Sequence, residues 1–308
     1  MNLFTSSSKK YSKIFLIFFL VTIFLFIFVT ELIFRLYITD SHSFEQYKTK
    51  YYNEKAKIVI FGDSHVVNGI NDSDKLLNMG YAGDNINSIL TKALHYSLNH
   101  DVEFIGLQAD PHLFSYYRIV TNQKEHLDSL LNHTERALHI LRPHLRKYLL
   151  SYWKTWLLSP SQIFSQENKV KRINSDTEMR SVVDLPKETR QHQASIRAQL
   201  HRPIEEFQKS DTSKYLLDSV QKLLDMNVKV CLISYPLSSD YRLEIKKYQK
   251  FSQAYDFFKY IADLKGIKYM NYNDRYKDKD FSDSDHLNMN GSNKLTSDII
   301  NDCLDNII

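Results

Sequence analysis

The chain is poor in the residues that punctuate and staple proteins. Among 308 residues there are seven glycines, six prolines, two cysteines and two tryptophans. Two cysteines exclude a disulfide-dense secreted scaffold and a multi-cysteine zinc site. Cys231 lies in the apolar run VKVCLISY and Cys303 in the final helix-like segment, and both read as small buried apolar residues. A net charge of +4 is too mild to suggest a nucleic-acid partner, and neither zinc-ligand spacing nor a glycine-rich phosphate loop is present. No cofactor or metal is expected. Hydrophobic content of 43% with 25% charged residues excludes a disordered chain.

The N-terminus lacks charge where the rest has plenty. Ile14 to Thr30, IFLIFFLVTIFLFIFVT, carries none, and after Glu31 the apolar run resumes to Phe34. At about 1.5 Å per residue, residues 14–34 match a bilayer core of about 30 Å. Lys9, Lys10 and Lys13 precede the run, which places the N-terminus in the cytoplasm. The exit, ELIFRLYITD, has no small-residue cleavage site. Residues 1–40 therefore read as a cytoplasmic tip and transmembrane anchor, and 41–308 as a domain outside the cytoplasm.

Five short apolar runs follow, at 57–62, 75–80, 102–108, 228–236 and 267–272. Several are continuous rather than alternating, as strands covered on both faces should be. Helical periodicity fills 85–100, 212–227, 241–266 and about 291–307, with Asp211 as a candidate N-cap and Gly266 as a candidate C-cap. This alternation predicts a three-layer α/β/α fold on a five-stranded parallel sheet. Residues 113–211 interrupt it and read as a helical insert whose polar part, 164–205, could form a lid-like arm. Within the insert, 141–158 mixes Arg142, Arg146, Lys147 and Lys154 with Tyr148, Tyr152, Trp153 and Trp156, a composition suited to a membrane interface or to a helix core.

Ligands bind beyond the carboxyl ends of strands in such sheets. The first run ends on Gly62-Asp63-Ser64-His65, and four of the seven glycines, Gly62, Gly69, Gly80 and Gly83, fall within 22 residues. A serine on a sharp strand-to-helix turn is inert until a base takes its proton. Among twelve histidines, His286 stands out in FSDSDHLNMNG, because Asp283, one helical turn earlier, can reach back to one ring nitrogen and leave the other for a serine. His65, next to the serine, should point away from it as a substrate-facing or structural residue.

These blocks resemble the SGNH (GDSL-type) hydrolases. Gly62-Asp63-Ser64 matches the GDS block, Asn78 to Asp84 (NMGYAGD) the second block, and Asp283 to His286 (DSDH) the terminal DxxH block. The likeness covers roughly 56–112 and 225–305 and implies a flavodoxin-like strand order. It implies Ser64 as nucleophile, His286 as base, Asp283 as its orienting carboxylate, and the N–H groups of Ser64 and Gly83 as oxyanion donors. Asp285 also adjoins His286, but Asp283 fits the family spacing. One block departs: the family's third-block asparagine has no counterpart in GLQADPHLF, where Gln108 or His112 would have to supply the third donor. The anchor-plus-domain plan is similar to that of membrane-anchored bacterial envelope enzymes of this type. It implies an esterase or O-acyltransferase acting on acyl, chiefly acetyl, esters of envelope glycans, with a membrane-bound O-acyltransferase as a partner. The alternative is an inactive glycan-binding or scaffold module.

Overall fold

The computed structural model describes residues 5–33, 43–121, 123–132 and 180–304. The chain divides into two compact units, one holding residues 1–48 and the other including 49–131 and 168–308. In the first, α1 (Thr5–Ile33) contains a stretch, Tyr11–Leu32, long and apolar enough to cross a membrane. Its side chains from Tyr11 to Val29 stand exposed. Thr22 and Thr30 return their hydroxyls to the carbonyls of Phe18 and Phe26, at 2.8 and 2.7 Å, so neither polar group needs a partner outside the helix.

The second unit is a five-stranded, wholly parallel sheet in the order β2-β1-β3-β4-β5, as the sequence pattern predicts. The strands are β1 (Ile58–Gly62), β2 (Leu76–Gly80), β3 (Phe104–Gln108), β4 (Lys229–Ser234) and β5 (Lys268–Asn271). Alternate side chains of β1 feed opposite faces. Ile58 and Ile60 join a core with Val66, Ile70, Leu295 and Ile299. This is the face covered by the short α3 (Ser64–Gly69) and by the C-terminal helix Met289–Leu304. The other face is covered by α4 (Ile86–Asn99), by the helix Asp211–Asp225 and by the helix Gln249–Lys265. In chain order the remaining helices are α2 (Ser43–Asn53), α5 (Tyr116–Val120), α6 (Lys124–Leu131), α7 (Lys187–Leu200), α8 (Asp211–Asp225), α9 (Ser239–Ile245), α10 (Gln249–Lys265) and α11 (Met289–Leu304).

Four expectations change in detail. Cys231 on β4 and Cys303 on α11 are joined as a disulfide with Cα atoms 6.4 Å apart, rather than remaining free. Both are buried, as expected, but strand and helix meet across the core and bring the sulfurs together, a pairing that a separation of 72 residues does not advertise. Closing a loop of that length corresponds to about 4 kcal/mol in the chain-entropy account. The helix expected over 241–266 is two helices. Tyr241 and Ile245 of α9 pack on Ala194 and Ala198 of α7, whereas Phe257, Phe258 and Ile261 of α10 are buried in contact with the sheet side, and one straight helix cannot serve both directions. The N-cap of α8 is Ser210, which accepts from Ser213 N, with Asp211 one residue inside. In the insert, the described part of 164–205 is no loose arm, because α7 packs against α9. The basic-aromatic stretch 141–158 lies outside the described residues.

The loop after β2 leads into α4 through a buried ion pair. Lys92 Nζ donates to both carboxylate oxygens of Asp84, at 2.9 and 2.6 Å, and both side chains are shielded from solvent. Burial pushes the Asp84 carboxyl up to about 6 and the Lys92 ammonium down, against the attraction between them. Asp84→Asn should therefore remove the charge that Asp84 sets against the buried Lys92 ammonium and cost about 3–5 kcal/mol, seen as a fall of on the order of 10 °C in the melting midpoint. Replacing both residues by apolar ones should cost much less; equal losses in the two variants would show that the pair is not the cause.

Candidate active site

Residue 64 is delivered by an abrupt strand-to-helix turn. β1 ends at Gly62, where a Cβ would overlap Val66 and the side chain of Gln108, so only glycine lets the chain pass. Asp63 caps α3: its side chain accepts from His65 N at 2.9 Å, and its carbonyl takes the N–H groups of Val66 and Val67. Asn78 on β2 holds the turn from the other side, with its amide donating to the carbonyls of Val66 and Ile70 at 2.9 and 2.7 Å. Gly62 pairs with Gly80 across β1 and β2, and Tyr81 N donates to Gly62 O. The Gly83 turn thus follows the partner of the Ser64 turn. Gly83 has φ +91°, a conformation that L residues rarely adopt, and Arg118 and Gln123 stand beside it.

His286 comes from the loop before α11. Asp283 Oδ1 accepts from the backbone N of both Asp285 and His286, at 3.0 and 2.9 Å, which folds the loop over its own carboxylate. The loop ends are clamped by Ser282 N to His286 O at 2.9 Å and by Asn288 to the carbonyl of Lys279 at 2.8 Å. Asp283 Oδ2 then meets His286 Nδ1 at 2.8 Å, and His286 Nε2 lies 2.9 Å from Ser64 Oγ. The structure brings Ser64, His286 and Asp283 into one line of hydrogen bonds. With Nδ1–H donating to Asp283, Nε2 carries the lone pair and accepts the serine proton.

Behind this line lies a dense buried set of charges. His65 Nδ1 meets Asp110 Oδ2 at 2.8 Å, and its Nε2 meets Asp285 Oδ2 at 3.3 Å. Asp63 accepts from His112 Nε2 at 2.7 Å and from Arg118. Asp285 also faces Arg197 Nε at 3.3 Å and His201 Nδ1 at 3.5 Å. Burial raises the Asp63 carboxyl, but His112, His65 and Arg118 outweigh it and hold it well below the usual carboxylate range. Asp285 is likewise held well below by His286, His65 and His201 against burial. Burial lowers the His286 imidazole, and Asp285 followed by Asp283 more than reverses this, leaving it above its ordinary value. Burial keeps His112 and His201 below theirs. Both ring nitrogens of His65 are turned to carboxylates, and the groups Asp63, His65 and His112, and His65, Asp285 and His286, each bring their ligand atoms close enough together to hold a metal ion.

The two residues considered for the third oxyanion donor are engaged elsewhere. Gln108 Oε1 accepts from Asp63 N at 2.6 Å and its Nε2 donates to Asp110 at 2.7 Å, while His112 is spent on Asp63. Both are buried. Their side chains hold the Ser64 turn from below, where these bonds occupy the groups expected to stand in for the asparagine. His65 is buried, with both ring nitrogens on carboxylates of the chain itself. Sequence reasoning missed Arg118, Arg197 and His201, which come from the stretch set aside as an insert.

Among solved structures, the chain is similar to a Bacteroides fragilis protein provisionally named an acylhydrolase, at 10% identity and a TM-score of 0.42, covering 87% of this chain and 96% of that one. No family model and no curated protein matches the chain.

The ionisation pattern fixes a response to acid. Asp63 and Asp285 have folded values below their unfolded value of about 3.9. Their stabilisation is present above that value and is lost as pH falls through the folded ones. Asp84, raised to about 6, is protonated in both states below about pH 4 and adds no slope there. The melting midpoint of the detergent-solubilised chain should therefore drop steeply below about pH 4, and Asp63→Asn, although less stable at neutral pH, should lose part of that dependence. An unchanged acid limb in the variant would remove Asp63 from the account.

Proposed function

We propose that the α/β unit is an SGNH-type serine acylhydrolase or acyltransferase that works through an acyl-enzyme on Ser64. The observation that carries this reading is the 2.9 Å approach of His286 Nε2 to Ser64 Oγ, with Asp283 on the other ring nitrogen. In the reaction, Ser64 Oγ bonds to the ester carbonyl carbon as its proton moves to His286 Nε2. The departing alcohol takes that proton as its bond to carbon breaks, leaving Ser64 acylated. A second hydroxyl, of water or of a sugar, then bonds to the acyl carbon as its proton moves to His286, and Ser64 Oγ takes that proton back as its own bond to the acyl group breaks. The N–H groups of Ser64 and Gly83 are the proposed oxyanion donors, each worth about 10²–10³ in rate.

The substrate side rests on the tether. The apolar helix with lysines before it supports an anchored protein with the catalytic unit outside the cytoplasm. The Cys231–Cys303 disulfide agrees with an oxidising compartment. An enzyme fixed there meets envelope glycans at high local concentration, which favours acyl, chiefly acetyl, esters of such polymers as substrate and a membrane-bound O-acyltransferase as the partner that supplies or receives acyl groups. A glycan-binding module without catalysis is the second reading, favoured by the engagement of Gln108 and His112 in internal bonds.

A fluorophosphonate probe should label the full chain in detergent at Ser64, and Ser64→Ala should abolish labelling with an unchanged melting curve. Because His286 must be neutral to accept the proton and its value is raised, labelling should speed up as pH rises, with a midpoint above about 6.5. A folded wild-type chain that takes no label at any pH, yet retains glycan binding in Ser64→Ala, would favour the binding module.

A further inference from the structure

The buried charges behind the serine and the base are arranged around one ring. His65 follows Ser64 directly, yet it is shielded from solvent and placed between two carboxylates from distant parts of the chain. Both carboxylates can only accept when ionised, so both contacts are hydrogen bonds only if both ring nitrogens carry protons. Asp110 is fixed in turn by Tyr235 N at 2.8 Å and by Gln108, at the ends of β4 and β3. Asp285 belongs to the loop that carries His286, and its Oδ1 lies 3.8 Å from His286 Nδ1.

Resting on the acyl-enzyme reading, we propose that His65 is a positioning residue for the base. It is a buried, doubly protonated imidazole that ties Asp285, and with it the His286 loop, to the turn that carries Ser64.

The surroundings bear this out element by element. His65 faces Asp63 on its own turn, Asp110 and His112 after β3, Tyr235 after β4, and Asp285 and His286 on the base loop. His201, at the end of α7, faces Asp285. Against burial, Asp110, Asp285 and Asp63 hold the His65 imidazolium well above the ordinary histidine value. His286 faces Ser64, Asp283 and Asp285, with His65 edge-on at 5.4 Å between ring centres. Arg197 of α7 faces both of these carboxylates. Asp283 is 38% exposed and Asp285 1% exposed, and Arg197 stands nearer to Asp285, at 3.3 Å against 3.8 Å. Solvent screens the first carboxylate far more than the second, so the unscreened charge beside the base is the one His65 holds.

Two measurements on the full chain in detergent test this. With histidine-selective ¹⁵N labelling, one imidazole should keep both ring protons at pH 8, and its signals should vanish in His65→Gln. If the signals lost in that variant are those of a neutral ring, the proposal falls. The second measurement is the rate of fluorophosphonate labelling of Ser64 against pH. His65→Gln should slow labelling about 10–100-fold with the chain still folded, the size usual for groups that orient a reacting residue. Asp285→Asn should lower the pH midpoint by about a unit. Labelling of folded His65→Gln at the wild-type rate and midpoint would overturn the proposal while leaving the acyl-enzyme intact. Absence of wild-type labelling would instead overturn the functional reading alone. Should His65→Gln not fold, the assignment passes to Asp285→Asn, which perturbs the doubly protonated signal seen in wild type if His65 is its partner and leaves it untouched if it is not.

Discussion

The site depends on one hydrogen bond between side chains 222 residues apart, His286 Nε2 to Ser64 Oγ. A contact of that sequence separation cannot be held by local structure. It requires the end of β1 and the loop before α11 to be fixed to about the tolerance of a hydrogen bond. The parallel sheet supplies the coarse placement, since it brings the carboxyl ends of all five strands to one edge. The fine placement comes from shorter ties. Asn78 holds α3 to β2, Asp63 and Gln108 set the serine turn, and Asp283 folds its own loop.

Beneath these ties, the protein buries carboxylates that a hydrophobic core would exclude. Burying an ion is costly unless it is paired and hydrogen-bonded. Asp63, Asp110 and Asp285 meet this condition together with His65, His112, Arg118 and Arg197: His112 and Arg118 serve Asp63, Arg197 serves Asp285, and His65 joins Asp110 to Asp285. Such an arrangement makes the serine turn and the base loop one electrostatic object. It also sets the protonation of the histidines apart: burial keeps His112 and His201 low despite Asp63 and Asp285 beside them, while His65 and His286, each meeting two carboxylates at its ring, are raised.

Much of this was legible in the sequence because it is written in local signals. Continuous apolar runs located the five strands, and GDS followed by DxxH picked out Ser64, Asp283 and His286, which the structure brings together. The apolar stretch 14–34 located the spanning-length helix. What escaped was non-local. The disulfide needs β4 and α11 to cross at one point. Arg118, Arg197 and His201 lie on segments with no apolar periodicity to mark them as parts of the α/β unit, and they reach the site only because α5 and α7 fold over the strand ends. The break between α9 and α10 escaped for a related reason: periodicity reports that a face is apolar, not which neighbour will cover it.

Gln108 at the end of β3 shows how the local and non-local parts trade roles. An asparagine at the end of β3 would offer a short amide to ligand. Gln108 is one methylene longer and lies back under β1, where its oxygen receives the Asp63 N–H and its nitrogen reaches Asp110. The end of β3 is thereby used to hold the nucleophile's turn and the His65 carboxylate instead of presenting a donor. Under the acyl-enzyme reading, stabilisation of the oxyanion then falls to backbone N–H groups, those of Ser64 and of the Gly83 turn. That makes the conformation at Gly83 matter more here than where a side-chain amide shares the work. A left-handed φ at that position, with Arg118 and Gln123 packed beside it and Gln123 bonded to the Gly83 carbonyl, is the local rigidity such a role needs.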